Sequence, residues 1–468
     1  MELVETIFPS DSSDLDLSFT SCTSNTTFNS SSSARSSLTL SFNESRLSSS
    51  TTNITCHQQQ KLPYRPHRKY DPHWSSIHAA TNLSPDGTLQ LPHLKLLRHI
   101  GSGNLGRVFL CRIKDDISPQ ASSFALKVVD RDALTYKKLS HVQMESEILS
   151  IVDHPFLPTL YAHLEVSHYT CLLIDYCSNG DLHALLRKQP GNRFKLNAVK
   201  FFASEVLVAL EYLHALGVVY RDLKPENVLI REDGHIMLSD FDLCFKSDVV
   251  PTVEKQVSIK KPKSGLLSLF SCFGYDTETE ITEFVAEPIN ANSRSCVGTH
   301  EYLAPELVNG NGHGNGVDWW AFGVFIYELM YGRTPFKGES KESTLRNIAS
   351  SNKQIRFPES DVLEEAGMAE AKDLISRLLV KDTGKRLGCA RGATDIKVHP
   401  FFKGIKWPLI RTYRPPEVRG LQRKACLSHV SDGVVVSRKK SWSLKYIKGL
   451  IRGTGGSFNG GNSKDRYY

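Results

Sequence analysis

The eight residues YRDLKPEN, Tyr220 to Asn227, decide how the rest of the chain is interpreted. Within this stretch, Asp222 can accept a hydroxyl proton, Lys224 can face phosphate charge, and Asn227 can hold a hard divalent cation through oxygen. A carboxylate, an ammonium and a carboxamide at this spacing are not needed to form an apolar core. The trio therefore predicts a phosphoryl-transfer site.

One predicted helix and one predicted hairpin flank this stretch. Before it, VLVALEYLHALG, Val206 to Gly217, has apolar residues at helical spacing and ends on a glycine suited to a helix C-terminus. After it, VLI and HIMLSDF predict two short strands joined by a turn at 232–234. Asp240 lies at the end of the second strand, 18 residues beyond Asp222.

The composition predicts an intracellular protein with one large two-lobed domain plus tails. The chain has 468 residues, of which 40% are hydrophobic and 23% are charged. No apolar run approaches the roughly 18 residues of a membrane span, and the N-terminus lacks the pattern of a secretory signal. Ten scattered cysteines, with no zinc-like spacing, predict free thiols. The net charge of +7 is mild for this length, and no nucleic-acid partner is expected.

Changes in composition divide the chain into three parts. Residues 1–93 are rich in Ser, Thr and Asn and are predicted to be disordered. Residues 94–402 contain a strand-rich part followed by a helix-rich part, which predicts an α+β fold of two lobes with a cleft between them. An insertion of mixed charge at about 246–292 shows no stable period and is either functional or disordered. Residues 403–468 are expected to wrap around the body or trail from it.

A glycine-rich turn lies between two predicted strands at the start of the folded domain. The spacing G-x-G-x-x-G is a weak signal alone, and Asp130 after a later strand even imitates a dinucleotide-binding acid. The residues after the third glycine, RVFLCRI, have a strand pattern instead of a helix pattern, which favours a hairpin flap over phosphates. The residues predicted to bind nucleotide are Ile100, Gly101, Ser102, Gly103, Asn104, Leu105, Gly106, Val108 and Lys127.

Three further polar residues complete the predicted site. Lys127 in the strand FALKVV needs partners for an inward charge, and phosphate oxygens and Glu145 on the following helix can supply them. Asp240 and Asn227 are predicted to share a Mg²⁺ ion that bridges nucleotide phosphates. Structural alternatives remain open, since a strand lysine is often exposed and an aspartate at a strand end is often a turn former.

Taken together, the motifs resemble those of a eukaryotic protein kinase. HIGSGNLGRV, FALKV, YRDLKPENVL, SDFDL, GTHEYLAPE and DWWAFGVFIYELMYGRTPF are similar to the AGC group, over about Leu94 to Phe402. Asp242 in place of a glycine, the long insertion, and Tyr220 before Arg221 are similar to the plant-specific branch of that group, AGCVIII. Within that branch, DLDLSFTSCTSN, SSSARSSLTLSFN and RKYDPHWSSIHAATNLSPDG resemble the WAG and PINOID kinases.

The resemblance implies a role for each matching residue of the site. It implies a two-lobed serine/threonine protein kinase that uses ATP and Mg²⁺, and Lys224 argues against tyrosine targets. The implied roles are catalytic base for Asp222, stabilisation of the transferred phosphoryl group for Lys224, metal binding for Asn227 and Asp240, and pairing with the α- and β-phosphates and with Glu145 for Lys127.

Other matching residues concern regulation and substrate choice. Arg221 resembles the basic residue that receives an activation-loop phosphate, and Ser295 occupies that phosphosite, although a solvated loop serine is the alternative. Glu306 resembles a structural residue whose partner is Arg386. Protein substrates are expected to carry Ser or Thr in a basic context. The residues implied to bind the basic side chains are Asp181, Glu226 and Glu328.

The stretch RKKSWSLKYIKGLIR, residues 438–452, has six basic and no acidic residues. It is suited to an anionic membrane surface or to calmodulin, with a solvated tail as the open alternative. By resemblance, the substrates include auxin efflux carriers, which implies a role in polar auxin transport. The expected setting is the cytoplasmic face of the plasma membrane and the cytoplasm, with the nucleus left open. A monomer is expected, and an upstream activating kinase is left open.

Two other classes of function remain open at this point. A pseudokinase or scaffold would bind nucleotide without turnover, and Asp242 is its only support in the sequence. A lipid-binding adaptor would depend on residues 438–452 and not on Lys127.

Overall fold

A computed structural model of the chain describes residues 71–82, 87–114, 122–249, 251–258, 279–288, 290–358 and 366–422. Within them, the predicted α+β architecture is confirmed, with a strand-rich N-terminal lobe followed by a helical C-terminal lobe. None of the helices in this part is long and apolar enough to cross a membrane. The six cysteines that the described part contains are free, as predicted.

An antiparallel sheet of five strands forms the N-terminal lobe, with the order β1-β2-β3-β5-β4. The predicted strand after the glycine turn is β2, and the backbone N–H of Gly103 donates to the carbonyl of Gly106 over 2.9 Å to close the turn. The register places Val108 directly opposite Lys127. The strands are β1 (Leu94–Ser102), β2 (Arg107–Ile113), β3 (Phe124–Asp130), β4 (Leu160–Val166) and β5 (Tyr169–Asp175).

A first helix, α1 (Pro72–Asn82), packs against this sheet before β1 begins. Ile77 is fully buried, and the Tyr161 hydroxyl of β4 donates to Asp71 Oδ2 over 3.0 Å. Burying one isoleucine side chain contributes roughly 1.5–3 kcal/mol. The expectation of disorder up to residue 93 is therefore wrong for α1, while residues 1–70 lie outside the described part. PHWSSIHAATN has too short an apolar stripe to signal a helix, and packing on the sheet stabilises it instead.

The helix α2 (Tyr136–Ile151) connects β3 and β4 and carries Glu145 on its buried side. Its first turn is capped by Thr135, whose hydroxyl accepts the Lys138 N–H. The helix was predicted over about 139–152, so it starts three residues earlier than its apolar pattern suggests.

The C-terminal lobe is built around two long helices, α4 (Leu196–Ala215) and α6 (Gly316–Tyr331). Nearly every residue of α6 is buried, which makes it the centre of this lobe. Gly217 ends α4 as predicted, with φ +76°, and a Cβ there would lie 2.0 Å from the Ser247 carbonyl oxygen. The other helices are α3 (Leu182–Arg187), α5 (Pro305–Val308), α7 (Lys341–Ala349), α8 (Met368–Leu378) and α9 (Ala393–Lys397).

Two small pairs of strands flank the stretch YRDLKPEN. β6 (Val218–Val219) pairs with β9 (Phe245–Lys246), and the predicted hairpin is formed by β7 (Val228–Ile230) and β8 (Ile236–Leu238). The stretch is thus fixed at both ends, by α4 with β6 on one side and by β7 on the other.

The outer parts of the insertion pair with each other. β10 (Thr252–Ser258) and β11 (Thr279–Val285) are antiparallel, with Ser258 opposite Thr279. Neither TVEKQVS nor TEITEFV alternates strictly between apolar and polar residues, so no period of two signals these strands in the sequence. Residues 259–278 lie outside the described part.

The chain after α9 lies against the C-terminal lobe as far as residue 422. Gln189 holds this segment at both of its amide atoms: its Nε2 donates to the Arg419 carbonyl over 2.8 Å, and its Oε1 accepts the Arg419 N–H over 3.1 Å. Arg411 forms an ion pair with Asp233 at the β7–β8 turn. The basic stretch 438–452 lies outside the described residues.

Candidate active site

The backbone of the predicted catalytic loop is held by a buried aspartate on α6. Asp318 accepts the N–H of Tyr220 at Oδ2 and the N–H of Arg221 at Oδ1, both over 2.7 Å. Arg221 has φ +69°, a conformation that is unfavourable for a bulky side chain and needs such support. Sequence reasoning gave Asp318 no role, yet an acid directly before the apolar run WWAFGVFIY is a detectable signal.

Donors on three sides hold the Asp222 carboxylate in one orientation. Oδ2 accepts from Lys224 Nζ over 2.7 Å and from Asn227 Nδ2 over 2.9 Å. Oδ1 accepts from the Thr299 N–H over 3.2 Å and from the Thr299 hydroxyl over 3.0 Å. Lys224 also donates to Thr299 Oγ1 over 2.8 Å. The predicted trio is therefore brought together, and Thr299 of the GTHEYLAPE motif joins it, a residue to which the sequence analysis assigned no role.

Lys127 and Glu145 form the ion pair that the sequence suggested. Lys127 Nζ lies 2.6 Å from both carboxylate oxygens of Glu145 and 3.5 Å from Asp240 Oδ1. Burial alone would lower the pKa of Lys127, but the charges of Glu145 and Asp240 outweigh it and raise that pKa above its usual value. Lys127 is thus a cation that connects α2 in the N-terminal lobe with the carboxylate after β8.

Asp240 and Asn227 lie on neighbouring chain segments. Ser239 links the segments, because its N–H donates to the Asn227 carbonyl over 2.9 Å. Asp240 has φ +62° and a side chain that is 43% exposed, so its carboxylate is open to solvent beside Lys127. Burial first, and then the charge of Asp240, raise the pKa of Asp242 to about 7.

These residues fit the cofactors that the resemblance implies, ATP and a divalent cation, typically Mg²⁺. The amide nitrogen of Asn227 is engaged by Asp222, which leaves the amide oxygen as its ligand atom. Mg²⁺ is usually held by one or two protein oxygens together with substrate phosphates and water, and Asp240 with Asn227 is such a set. Within the described residues, no three or more His, Cys, Asp or Glu side chains form a metal cluster.

The glycine turn leaves open space where nucleotide binding was predicted. A Cβ added at Gly101 or Gly103 would meet nothing within 4 Å, whereas one at Gly106 would lie 2.3 Å from the Val128 carbonyl oxygen. Gly106 is thus needed for close packing on β3. Leu105 is buried in a small cluster with Val129 and Val142, so its side chain packs inside the lobe.

Arg221 extends from the catalytic loop to the activation segment. Its guanidinium donates to Ser295 Oγ over 2.7 Å and to Ser293 Oγ over 3.3 Å. It also donates to the Leu243 carbonyl over 2.6 Å and lies 4.8 Å from the centre of the Phe245 ring. Ser295 is therefore placed where a phosphate would contact a fixed cation.

The three residues implied to bind basic substrate side chains have different surroundings. Asp181 caps α3, with Oδ1 accepting the Ala184 N–H over 2.7 Å. The side chain of Glu226 is 49% exposed and lies 3.8 Å from His183. Glu328 is buried, accepts the Tyr302 hydroxyl, and has a pKa that burial raises. Of the three, Glu226 presents the most accessible carboxylate for a cationic peptide.

Arg386 and Glu306 form the structural pair that the resemblance implied. Arg386 donates to both carboxylate oxygens of Glu306, over 2.6 and 2.8 Å, and the arginine side chain is fully buried. The pair joins α5 to the segment after α8.

Comparison with known proteins gives one family. A family model described as "Protein kinase domain" matches residues 94–258 and 276–402. Serine/threonine-protein kinase WAG1 of Arabidopsis thaliana is 62% identical over 448 residues, which cover 93% of this chain and 92% of that protein. WAG2 of the same species is 60% identical over 484 residues, covering 100% of this chain and 98% of that protein. Protein kinase PINOID of Oryza sativa subsp. japonica is 47% identical over 380 residues, with 79% and 78% covered.

Proposed function

Because this chain belongs to the protein kinase family, in the same plant AGC-type group of serine/threonine kinases as WAG1, WAG2 and PINOID, we propose that it regulates polar auxin transport by phosphorylating auxin efflux carriers. The resemblance of its N-terminal segments to the WAG and PINOID kinases supports the choice of substrate. The observation that carries the chemistry is the Asp222 carboxylate, with Lys224, Asn227 and Thr299 as its donors within 3.2 Å.

The proposed reaction is transfer of the γ-phosphoryl group of ATP to a serine or threonine hydroxyl. The hydroxyl oxygen forms the new bond to the γ-phosphorus, the bond from that phosphorus to the β–γ bridging oxygen breaks, and ADP leaves. Asp222 accepts the hydroxyl proton, and Lys224 stabilises the charge on the transferred group. A Mg²⁺ ion bound with the nucleotide would neutralise phosphate charge, and Asn227 and Asp240 would hold it.

In this proposal, residues of the N-terminal lobe position the nucleotide and residues of the C-terminal lobe position the substrate. Lys127 is proposed to bind the α- and β-phosphates, and its ion pair with Glu145, at 2.6 Å, supports that role. Glu226 offers a carboxylate to a basic side chain of the substrate. Most of the rate enhancement then comes from holding the reactants and the charges in place, because the protein forms no covalent bond itself.

A phosphate-transfer assay tests the reaction. The full chain is incubated with Mg²⁺, γ-labelled ATP and a serine peptide that has arginines before the serine. Asp222→Asn keeps the size of the side chain but removes the base, and we expect incorporation to fall at least 100-fold. Glu417→Gln, on a side chain that is 80% exposed, serves as the control. Equal incorporation by wild type and Asp222→Asn would reject the assignment and favour a nucleotide-binding scaffold.

A second assay tests the substrate. The cytoplasmic loop of an auxin efflux carrier replaces the peptide, next to the same loop with its serines and threonines changed to alanine. We expect phosphate only on the unchanged loop. An active kinase that ignores the loop would reject the role in auxin transport while leaving the kinase activity intact.

We further propose that the protein works at the cytoplasmic face of the plasma membrane. The support is the basic stretch 438–452, in which Trp442, Tyr446 and Ile447 are interspersed among six basic residues. Co-sedimentation with phosphatidylserine vesicles should be lost when residues 438–452 are deleted. Binding of that stretch to calcium-loaded calmodulin, without binding to vesicles, would contradict the membrane proposal.

A further inference from the structure

A buried cluster of charged side chains connects the end of the insertion with the catalytic loop. His214, near the end of α4, lies between two carboxylates: its Nδ1 is 2.7 Å from Glu287 Oε2, and its Nε2 is 2.8 Å from Asp318 Oδ2. The three side chains are between 0 and 3% exposed. Because a carboxylate faces each ring nitrogen, both nitrogens act as donors and the imidazole is cationic.

The same cluster continues into the backbone before the catalytic base. Asp318 accepts the N–H groups of Tyr220 and Arg221 while it also accepts from His214. Arg221, in its left-handed conformation, directly precedes Asp222. The orientation of the Asp318 carboxylate therefore fixes the position of the backbone at Tyr220 and Arg221, directly before Asp222.

Glu287 is held in a site that matches its shape. It follows β11 by two residues, and its Oε2 also accepts from Nδ2 of Asn315, the residue just before α6, over 2.8 Å. Its Oε1 lies 3.4 Å from the Ala393 nitrogen. Gly392 has no Cβ, and one there would lie 1.7 Å from Glu287 Oε1. The carboxylate thus contacts α4, α6 and the loop before α9 at once.

We propose that Glu287 is a positioning residue for phosphoryl transfer: by fixing the His214 ring, it orients Asp318 and so holds the catalytic loop in the conformation that presents Asp222. The side chain of Glu287 is only 3% exposed, so its effect is carried through hydrogen bonds to other buried groups. The inference rests on the phosphoryl transfer proposed above and is independent of which protein is the substrate.

The orienting role follows from the geometry of the ring. With Glu287 present, the imidazole is fixed at both nitrogens, and it meets Trp319 edge to face at 4.7 Å between ring centres. Without Glu287, one of the two anchors is lost and the ring can turn about its side-chain bonds. Asp318 then loses the partner that aligns it, while its bonds to the Tyr220 and Arg221 N–H groups must hold the loop alone.

The test uses the full chain with Glu287→Ala, Glu287→Gln and the surface control Glu417→Ala. Amide hydrogen exchange is followed at Tyr220 and Arg221, and kcat and KM are measured with Mg²⁺, ATP and a basic serine peptide. We expect Glu287→Ala to accelerate exchange of these two amides at least ten-fold and to lower kcat about ten-fold. The KM for ATP should stay within two-fold. Glu287→Gln, whose amide oxygen can still accept from the ring, should remain within about three-fold of the wild-type kcat.

Several outcomes overturn the proposal. Unchanged exchange at Tyr220 and Arg221 in Glu287→Ala does so, as does accelerated exchange over the whole domain, which would mark a general loss of stability. A rise in KM for ATP at constant kcat does so as well. If Glu287→Ala does not fold, Glu287→Met, which fills the volume without an acceptor, is judged by the same exchange criterion.

The outcome for Glu287 is separable from the outcome for the proposed function. A wild-type chain that transfers no phosphate would reject the proposed function. Hydrogen exchange at Tyr220 and Arg221 would still decide whether Glu287 orders the catalytic loop.

Discussion

The charge on His214 gives the protein a pH dependence of stability that can be measured. Burial alone would lower the pKa of this imidazole, but Glu287 and Asp318 outweigh burial and raise the pKa from 6.5 to about 10. In the unfolded chain the pKa returns to about 6.5. The stabilisation is therefore fully present below pH 6.5 and is lost as the pH rises towards 10.

Between pH 6.5 and pH 10, the folded protein keeps a proton on His214 that the unfolded chain has lost, and this difference sets the size of the effect. Each pH unit in that window lowers the free energy of unfolding by about 1.4 kcal/mol. Between pH 7 and pH 9 the loss attributable to His214 is therefore roughly 2–3 kcal/mol.

The measurement is urea denaturation at pH 7, 8 and 9, for wild type and for His214→Asn/Glu287→Gln. The double variant removes both the imidazole and the carboxylate paired with its Nδ1, while Asp318 keeps its two backbone donors. Other titrating groups are shared by the two proteins and cancel in the difference. We expect the wild-type advantage in unfolding free energy to shrink by roughly 2–3 kcal/mol from pH 7 to pH 9. Parallel curves would show that His214 is neutral in the folded protein and would refute the reasoning.

Three further predictions concern other parts of the molecule. The pKa of Asp242 is raised to about 7, so its ionised form at higher pH destabilises the folded state. Asp242→Asn should therefore stabilise the protein by roughly 2–3 kcal/mol more at pH 8 than at pH 5, measured by urea denaturation without nucleotide or Mg²⁺. An equal gain at both pH values would contradict this. Arg386→Ala leaves the buried Glu306 carboxylate unpaired and should lower the unfolding free energy by about 3–5 kcal/mol, whereas a loss under 1 kcal/mol in urea would disprove the assigned importance of the pair. Replacing residues 259–278 by Asn-Gly should leave kcat on a basic peptide within about two-fold, because Ser258 already faces Thr279 across the hairpin; a ten-fold loss would show that the replaced segment contributes to catalysis.

The sequence predicted the parts of the site that depend on local spacing. YRDLKPEN places Asp222, Lys224 and Asn227 on one short loop, so no tertiary information is needed to bring them together. The pairing of Lys127 with Glu145 was also predicted, because an inward lysine on a strand requires a carboxylate and the next helix offers one. The observed contact of 2.6 Å agrees with that reasoning.

The parts that were missed depend on distant contacts. Glu287 is 73 residues from His214, and Asp318 is 104 residues from it, so no sequence period relates them. Their meeting point is created by the packing of α4 against α6. Likewise, α1 was missed because its stability comes from the sheet beneath it and not from its own apolar pattern.

The position of α1 has a consequence for anyone who works with a shortened kinase. The family match begins at residue 94, so a truncation made there would remove α1 and expose the apolar surface of the sheet that Ile77 covers. It would also sever the hydroxyl link through Tyr161, whose oxygen lies 3.0 Å from Asp71 and 3.2 Å from Asp175, the last residue of β5. Such a fragment would expose apolar surface, and the end of β5 would lose a contact that is present in the chain that keeps residues 71–93.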